Sequence, residues 1–308
     1  CGPGQAIRIF TGAPVPEYLN HVVIQEDISR EGTRITLTDR LGEGTNIRPL
    51  GGDFKTGNRL SAPRLLRPSD IALLASMNIA TVSVARRPDV ALMSTGDELV
   101  MPGEAPGPDQ IIASNTFGLK ALLDGIGAHA RILPIARDNR PSLEAAFDLA
   151  ADADLVITIG GASVGDHDIV GDVAADLGLR RAFYKIAMRP GKPLMAGRMG
   201  KSVMLGLPGN PVSAMVCGHV FAAPVIRAML GLEAARSPRL TARLATPLPD
   251  NGPREHYMRA FVENGSITAE NKQDSSLLTI LADANALLIR PVKDGPRKIG
   301  DKIDYLPM

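Results

Sequence analysis

Three carboxylates on separate loops in the middle of this 308-residue chain are the first candidates for chemistry: Glu98, Asp138 and Asp168. Carboxylate oxygens are the hard ligands that Mg²⁺ prefers, and protein-bound Mg²⁺ is commonly shared with a substrate phosphate. We therefore predict a Mg²⁺ site with Glu98 and Asp168 as metal ligands and Asp138 at the rim of the same crevice.

Basic side chains lie on loops further along the chain. Lys185, Arg189 and Lys192 would hold an anion such as a phosphate group. The chain has 34 Lys plus Arg against 33 Asp plus Glu, so the charges that hold an anionic substrate must be local. Carboxylates and cations together predict a phosphorylated or nucleotide-bearing substrate that is handled with a divalent metal.

Four loops rich in glycine or proline carry most of these residues: Ser94–Glu98, Gly160–Asp168, Arg189–Pro193 and Leu207–Pro211. Glycine lets backbone N–H groups approach an anion closely, and a helix N-terminus adds the positive end of its dipole. Each loop alone is also explained as a turn or a helix start, and none completes a Walker or Rossmann fingerprint. Their coincidence predicts a binding site. We assign to it Thr95, Gly160, Gly161, Ser163, Arg189, Lys192, Pro208, Asn210, Pro211 and Ser213.

The elements that must position these loops alternate between strands and helices over residues 88–233, the pattern of an α/β domain with a mostly parallel sheet. The predicted strands are Asp89–Met93, His129–Ile135, Leu155–Ile159, Lys185–Met188 and Val203–Leu205. The predicted helices are Thr116–Gly125, Ser142–Ala151 and one that opens at Asn210–Pro211. The carboxyl ends of parallel strands border a common crevice, so loops far apart in sequence meet there.

The flanking segments are predicted to form other domains. Residues 1–60 form a β-rich domain with strands Val22–Ile24 and Arg34–Thr38, and residues 61–87 are a linking remnant with a helix at Pro68–Met77 and a strand at Ala80–Ala85. Residues 236–308 turn to β-structure again and predict a small C-terminal β-barrel.

Composition narrows the classes of function. Trp is absent and aromatic residues are 4%, which disfavours a base-stacking nucleic-acid platform. Cys1 and Cys217 do not have the spacing of zinc ligands or of a redox pair, which favours a protein of the reducing cytoplasm. We expect Cys217 to be buried. The apolar stretch Val212–Leu232 is interrupted by polar residues and predicts a buried core helix, not a membrane span.

The ordered set of motifs resembles the MoeA family, which includes the E domains of gephyrin and the plant Cnx proteins. The central motifs are Ser94–Leu99, Gly160–Asp168, Arg189–Pro193 and Gly206–Ala214; Gly4–Pro16, Asn46–Arg48 and Gly52–Asp53 are similar to motifs of the family's second domain. The resemblance implies a MogA-like, molybdopterin-binding three-layer domain between the two β-rich domains. As a set the motifs are specific, although no single one is.

The resemblance also implies a reaction. The family takes adenylylated molybdopterin, cleaves its pyrophosphate link with Mg²⁺ and molybdate present, places molybdenum on the dithiolene and releases AMP. By matching motifs, Glu98, Asp138, Asp168 and Lys185 are expected to be catalytic, and Pro208 and Pro211 also match positions tied to activity.

Thr11, Arg48 and Asp53 match the second domain, which is expected to close over a partner's active site in a homodimer. In the tail, Arg254 and Arg259 flank Tyr257 as in the family's fourth domain, and Ser275–Ser276 resembles its polar loop. The family's long first helix and its Asp-Gly-Tyr-Ala loop are expected upstream of the Gly4 motif, so the chain is interpreted as truncated at its N-terminus.

Two alternatives stay open. A MogA-like molybdopterin adenylyltransferase shares the central domain, although the flanking β-segments and the Pro-Gly-Asn-Pro loop favour insertion; such an adenylyltransferase is also a candidate partner. A non-catalytic molybdopterin-binding or scaffolding module is the alternative from another class. Metal-dependent AMP release separates the transferase from the scaffold, and a requirement for ATP indicates the adenylyltransferase.

Overall fold

The computed structural model describes residues 1–39, 41–161, 169–232 and 236–308. The chain forms two compact units, Cys1–Ala62 and Pro63–Met308. The predicted domain boundaries at residues 87/88 and 233/236 fall inside the second unit and remain predictions.

The first unit contains a short hairpin. Its strands are β1 (Ile28–Glu31) and β2 (Arg34–Leu37), paired antiparallel. β2 confirms the strand predicted at Arg34–Thr38, but the strand predicted at Val22–Ile24 is wrong. Val22 is instead held by a loop: its N–H donates to Thr45, and its carbonyl oxygen accepts from the Asn46 side chain. None of the described side chains of this unit is buried.

The second unit begins with helix α1 (Pro68–Ser76), as predicted. The strand predicted at Ala80–Ala85 is absent from this described segment, because its β-branched residues are exposed and no neighbouring strand pairs with them.

An α/β domain follows. Its strands are β3 (Asp89–Ser94), β4 (Leu99–Val100), β5 (Ile111–Ile112), β6 (His129–Ile132), β7 (Leu155–Ile159), β8 (Leu179–Tyr184), β9 (Met188–Arg189), β10 (Met195–Met199) and β11 (Ser202–Leu207). Its helices are α2 (Asn115–Gly125), α3 (Arg140–Leu149), α4 (Ile169–Asp176), α5 (Pro211–Cys217) and α6 (Ala223–Met229), with the π-helical turn Gly218–Ala222 joining the last two.

The central sheet has the strand order β6-β3-β7-β11-β10-β8. Five of these strands run in the same direction and only β10 runs opposite to them, which confirms the mostly parallel sheet. Helices α2, α5 and α6 cover one face, packing on Leu92 and Ile157, and α3 and α4 cover the other, packing on Met93 and Val156. Adjacent strand residues thus point into two separate cores, and the domain has three layers.

One predicted strand was wrong. Strand β8 ends at Tyr184, and Lys185 follows with φ of 80°, a left-handed conformation that interrupts a strand. The next strand, β9, covers only Met188–Arg189, so the predicted strand Lys185–Met188 is largely a loop.

The C-terminal segment is a closed barrel, as predicted. It contains β12 (Leu240–Leu244), β13 (Glu255–Glu263), β14 (Ser266–Ala269), helix α7 (Leu278–Asp283), β15 (Ala286–Arg290) and β16 (Lys302–Pro307). The strands pair in the order β14-β12-β16-β15-β13, and β13 pairs with β14 to close the ring. Strand β9 of the α/β domain adds to this barrel in parallel with β13.

The apolar helical stretch Pro211–Met229 is long enough to cross a membrane by length and composition alone, but half of it is buried inside the protein. Val212, Val216 and Ile226 lie in the core shared by the α/β domain and the barrel. The prediction of a buried core helix is therefore confirmed, and Cys217 is buried as predicted.

We expect Ile157→Val, in the centre of β7, to lower the free energy of unfolding by about 1 kcal/mol, because it removes one methyl group from a fully buried site. Urea denaturation measures the change. Ile111→Val, on the exposed strand β5, is the matched control and should change stability by less than about 0.5 kcal/mol. An equal loss at both positions would contradict the assignment of β7 to the core.

Candidate active site

The carboxyl ends of three parallel strands meet at Thr95. The Thr95 N–H donates to the Ile159 carbonyl oxygen at 3.1 Å, and the Gly160 N–H donates to Leu207 at 3.1 Å, so the ends of β3, β7 and β11 are tied together. Thr95 is buried, and its hydroxyl has no hydrogen-bond partner in the part of the chain that the structure describes. The hydroxyl therefore has unused hydrogen-bonding capacity at this edge of the sheet.

Gly160 and Gly161 are glycines because Thr95 lies against them. A Cβ on Gly160 would lie 2.7 Å from the Thr95 carbonyl oxygen, and a Cβ on Gly161 would lie 2.9 Å from the Thr95 hydroxyl. Both residues also have positive φ, 93° and 64°. The backbone at the end of β7 is thus exposed without side chains, as an anion-binding loop requires.

The loop before α5 lies against Gly160, at the end of β7. A Cβ on Gly209 would lie 3.5 Å from Gly160 Cα, and the Asn115 side chain donates to the Gly209 carbonyl oxygen at 2.7 Å. Asn210 is the N-cap residue of α5 and Pro211 its first residue, as predicted. Helices α2 and α5 therefore both begin beside the ends of β7 and β11.

A group of carboxylates lies on the other side of Thr95. Burial, followed by the charges of Asp97 and Glu98, raises the pKa of Asp138. Arg137 does not neutralise the group, since its guanidinium donates to the backbone carbonyl oxygens of Asp97 and Leu99. Asp97, Glu98 and Asp138 form no ion pair within the described ranges, so negative charge accumulates at this rim.

The basic loop after β8 is held in a fixed shape. The Lys185 N–H donates to Leu194 and the Ile186 N–H donates to Lys192, at 3.0 and 3.1 Å. Gly191, with φ of 105°, packs against α5, where an added Cβ would lie 2.5 Å from Cys217 Sγ. Burial raises the pKa of Cys217 to about 12, so this thiol is a packing group at neutral pH.

Arg189 connects the basic loop to the barrel. It pairs with His256 across β9 and β13, and Met188 pairs with Glu255. Burial, followed by the charges of Arg189, Arg259 and further arginines, lowers the pKa of His256 to about 4. The imidazole is therefore neutral at pH 7, and the junction between sheet and barrel carries a positive potential.

Arg259 on β13 lies at this junction and is fully buried. Met258 and Ala260 point into the barrel, so strand alternation places Arg259 on the opposite face, with Tyr257, where the barrel packs on the α/β domain. Its Nη2 donates to the Lys272 and Asp274 carbonyl oxygens, but Nε and Nη1 have no partner among the described residues.

Burial lowers the pKa of Arg259, and so does the charge of Arg189, while Asp274 acts in the opposite direction. The loop that binds Arg259 also touches α5, since the Val212 N–H donates to the Ser275 carbonyl oxygen at 3.0 Å. A buried guanidinium with two unused donors is costly unless an anion binds it. The two unused donors make this junction a candidate anion site.

The structure thus brings two groups of predicted residues together. The residues around the strand ends are Thr95, Gly160, Gly161, Glu98, Asp138, Pro208 and Asn210. The basic loop carries Lys185, Arg189 and Lys192, and it packs on helix α5, which carries Pro211 and Ser213. Thr11, Arg48 and Asp53 lie exposed in the first unit. Ser163 and Asp168 lie outside the described residues.

Sequence reasoning missed Asp97 and Asn115, and it gave Arg259 only as a short family match. Asp97 stood next to Glu98 in a selected loop, so its position was a usable signal. Nothing local marks Asn115, whose role depends on a contact with Gly209 on a distant loop.

Fold and site together define a molybdopterin-binding type of α/β domain. Residues 91–228 match the family described as a probable molybdopterin binding domain. Residues 1–78 match the MoeA N-terminal region (domain I and II), and residues 241–308 match the MoeA C-terminal region (domain IV). The chain belongs to the MoeA family, which confirms the resemblance.

Two curated relatives support the assignment to this family. The chain is 37% identical over 301 residues to the molybdopterin molybdenumtransferase of Nostoc sp., covering 94% of this chain and 69% of the relative. It is 35% identical to the enzyme of the same name from Haemophilus influenzae, covering 98% of this chain and 77% of the relative.

Solved structures show the same architecture. A crystal structure of a molybdopterin biosynthesis MoeA protein from Pyrococcus horikoshii matches with a TM-score of 0.71 at 27% identity, over 94% of this chain and 72% of that one. A second structure from that organism has a TM-score of 0.76 at 23% identity, over 100% of this chain and 76% of that one, and supports the fold alone.

We expect Gly160→Ala to destabilise the protein more than Gly178→Ala does. Both glycines have similar positive φ, 93° and 91°, but only the Cβ at position 160 meets a neighbour, the Thr95 carbonyl oxygen. The strain of positive φ costs about 1 kcal/mol at either position, and the collision adds about 1–3 kcal/mol at Gly160. Urea denaturation measures the difference; equal losses would contradict the close packing at Thr95.

We expect Asp138→Asn to raise the free energy of unfolding at neutral pH. A carboxyl group whose pKa is raised by folding destabilises the native state when ionised, and this effect disappears as the pH falls through the raised pKa. The gain should therefore shrink as the pH approaches about 4. Urea denaturation across this pH range measures it, with Asp109→Asn on an exposed loop as control. Destabilisation by Asp138→Asn at neutral pH would contradict the repulsion from Asp97 and Glu98.

Proposed function

We propose that this chain is a molybdopterin molybdenumtransferase that acts in molybdenum cofactor biosynthesis. It accepts adenylylated molybdopterin and molybdate, transfers molybdenum to the dithiolene and releases AMP. Family membership supports this function, since two relatives that are 37% and 35% identical to the chain over the aligned residues carry that name. The observation that carries the mechanism is the unpaired, buried guanidinium of Arg259 beside the basic loop.

On this proposal the phosphate groups of the substrate lie at the strand ends. The Gly161 N–H and the Thr95 hydroxyl bind phosphate oxygens, together with Ser163 on the same loop. Gly160, whose N–H is held by Leu207, lines the site without a side chain. Lys185 and Lys192 neutralise the pyrophosphate. Asn210 and Pro211 place the N-terminus of α5 at the same anion, with Pro208 fixing the loop before it and Ser213 lying in its first turn.

The carboxylate rim suits Mg²⁺. Burial, followed by the charges of Asp97 and Glu98, raises the pKa of Asp138, and a bound cation would favour its ionised form. The described residues hold no group of three metal-binding side chains, but Mg²⁺ commonly takes only one or two carboxylates and completes its shell with water and phosphate. We assign Glu98 and Asp168 as its ligands. When bound, Mg²⁺ would offset the charge of the pyrophosphate at the bond that is cleaved.

Molybdate is the co-substrate, and we assign it to the junction between the sheet and the barrel. Arg259 offers Nε–H and Nη1–H, and Arg189 adds a second positive charge. A guanidinium binds tetrahedral and planar oxyanions through paired N–H groups, and a buried one does so without competition from water. The anion would thus lie next to α5, whose N-terminus also faces the phosphate site.

A homodimer would complete the site through Thr11, Arg48 and Asp53. The first unit supports this part of the proposal because none of its described side chains is buried, whereas a stable domain needs a buried core. A MogA-type adenylyltransferase is the proposed partner that supplies the substrate. The proposed location is the cytoplasm, with neither nucleic acid nor membrane as a partner.

We expect Arg259→Gln to weaken the binding of molybdate at least tenfold, because the variant loses the charged donors of the guanidinium. The measurement is the molybdate concentration that gives half-maximal AMP release from adenylylated molybdopterin with Mg²⁺ present. Arg243→Gln, on an exposed face of the barrel, removes the same charge and should leave the molybdate dependence unchanged.

An unchanged molybdate requirement in Arg259→Gln would contradict the assignment of the oxyanion site. Absence of Mg²⁺-dependent AMP release by the unaltered protein, with molybdopterin still bound, would favour the scaffolding alternative instead. A requirement for ATP would indicate the adenylyltransferase.

A further inference from the structure

Strand β8 contains a bulge next to the basic loop. In its pairing with β10, Tyr184 opposes Met195, Phe183 opposes Ala196 and Arg181 opposes Gly197, which leaves Ala182 without an opposite residue. An extra residue reverses the alternation of a strand, so Arg181 and Tyr184 project from the same face. Gly197 permits the close approach, since a Cβ there would lie 2.6 Å from the Arg180 carbonyl oxygen.

The bulge places two cations on one aromatic ring. Arg181 Cζ lies 5.2 Å from the centre of the Tyr184 ring, and Lys185 Nζ lies 5.3 Å from it. Both distances are within the range of cation–π attraction. The two charges are consequently within about a Debye length of each other, roughly 10 Å, and repel.

Neither cation has a carboxylate partner among the described residues. In the ranges that the structure describes, Arg181 and Lys185 take part in no ion pair, and both side chains are exposed. Arg180, the preceding residue on the same strand, is exposed and lies opposite Arg198 in the pairing with β10. Two like charges on one ring attract an anion, because a phosphate relieves their repulsion and binds both.

We propose that Arg181 is a further anion-binding residue of the active site, which contacts a phosphate group of the nucleotide-bearing substrate, and that Tyr184 positions Arg181 and Lys185 for this contact. The inference rests on the proposed function, since it is the proposed function that assigns Lys185 to the active site. Arg181 supplies the planar, multi-donor group that phosphate binds best, and Lys185 supplies a compact charge. The ring restricts two long side chains before the substrate arrives, which lowers the entropy lost on binding.

The test compares five variants of the full chain: Arg181→Gln, Lys185→Gln, Tyr184→Leu, Tyr184→Phe and Arg180→Gln. Calorimetry gives the Kd of each for inorganic pyrophosphate, and initial rates give KM and kcat for adenylylated molybdopterin. Tyr184→Phe is the matched control for Tyr184→Leu, because both lack the hydroxyl and only one keeps the ring. Arg180→Gln removes one positive charge from the same strand.

We expect Arg181→Gln and Lys185→Gln each to raise the Kd for pyrophosphate roughly fivefold or more. Arg181→Gln and Tyr184→Leu should raise KM by a similar factor while kcat changes less than about twofold, as expected for lost binding. Tyr184→Phe should change Kd and KM less than Tyr184→Leu does, and Arg180→Gln should match the unaltered protein.

Three results would overturn the inference, and they are distinguishable. If Lys185→Gln weakens binding while Arg181→Gln and Tyr184→Leu do not, the pair of cations on the ring has no role, although the proposed function stands. If none of the variants changes binding or KM, the assignment of Lys185 to the site falls as well. Equal effects of Tyr184→Phe and Tyr184→Leu would also overturn it, because the ring would then contribute nothing.

Discussion

The active-site region depends on a short parallel pairing between two strands, β9 of the α/β domain and β13 of the barrel. Only two residue pairs make it, Met188 with Glu255 and Arg189 with His256. The pairing continues into a shared core, in which Tyr257, Leu287 and Ile289 of the barrel pack with Met188 and α5. The barrel therefore borders the candidate site, and its buried Arg259 is held close to Arg189 of the basic loop by hydrophobic packing.

This packing sustains charges that are unfavourable in the absence of a ligand. Arg259 has two buried donors without partners, and Asp138 is crowded by Asp97 and Glu98. Each group alone would lower stability by an amount comparable to a lost hydrogen bond. Positive charge at the junction and negative charge at the rim are separated by the neutral loops around Gly160 and Gly209. A ligand with phosphate groups and a divalent cation would compensate both, which explains why a stable protein keeps such an arrangement.

Much of the fold could be predicted from the sequence, because buried parallel strands are continuous apolar runs. Leu155–Ile159 was identified correctly for this reason. Strand β8 was missed because it is an edge strand whose Arg180 and Arg181 are exposed, so it has no apolar pattern. The strand predicted at Ala80–Ala85 had suitable β-branched residues but no partner, and propensity alone does not form a strand.

The site was predictable to the extent that glycine and proline mark it. Gly160, Gly161 and Gly209 lie where backbone segments touch, a requirement that is local in sequence. The unused donors of Arg259 and its proximity to Arg189 arise from tertiary packing between distant segments, which no local pattern encodes.

The most direct test of the oxyanion site is a crystal structure of the protein with molybdate, in which anomalous scattering at the molybdenum absorption edge locates the metal. Our account predicts an anomalous peak within hydrogen-bonding reach of Arg259 Nε and Nη1, next to the N-terminus of α5. A molybdenum peak at the carboxylate rim or elsewhere, with Arg259 still unpaired, would contradict it.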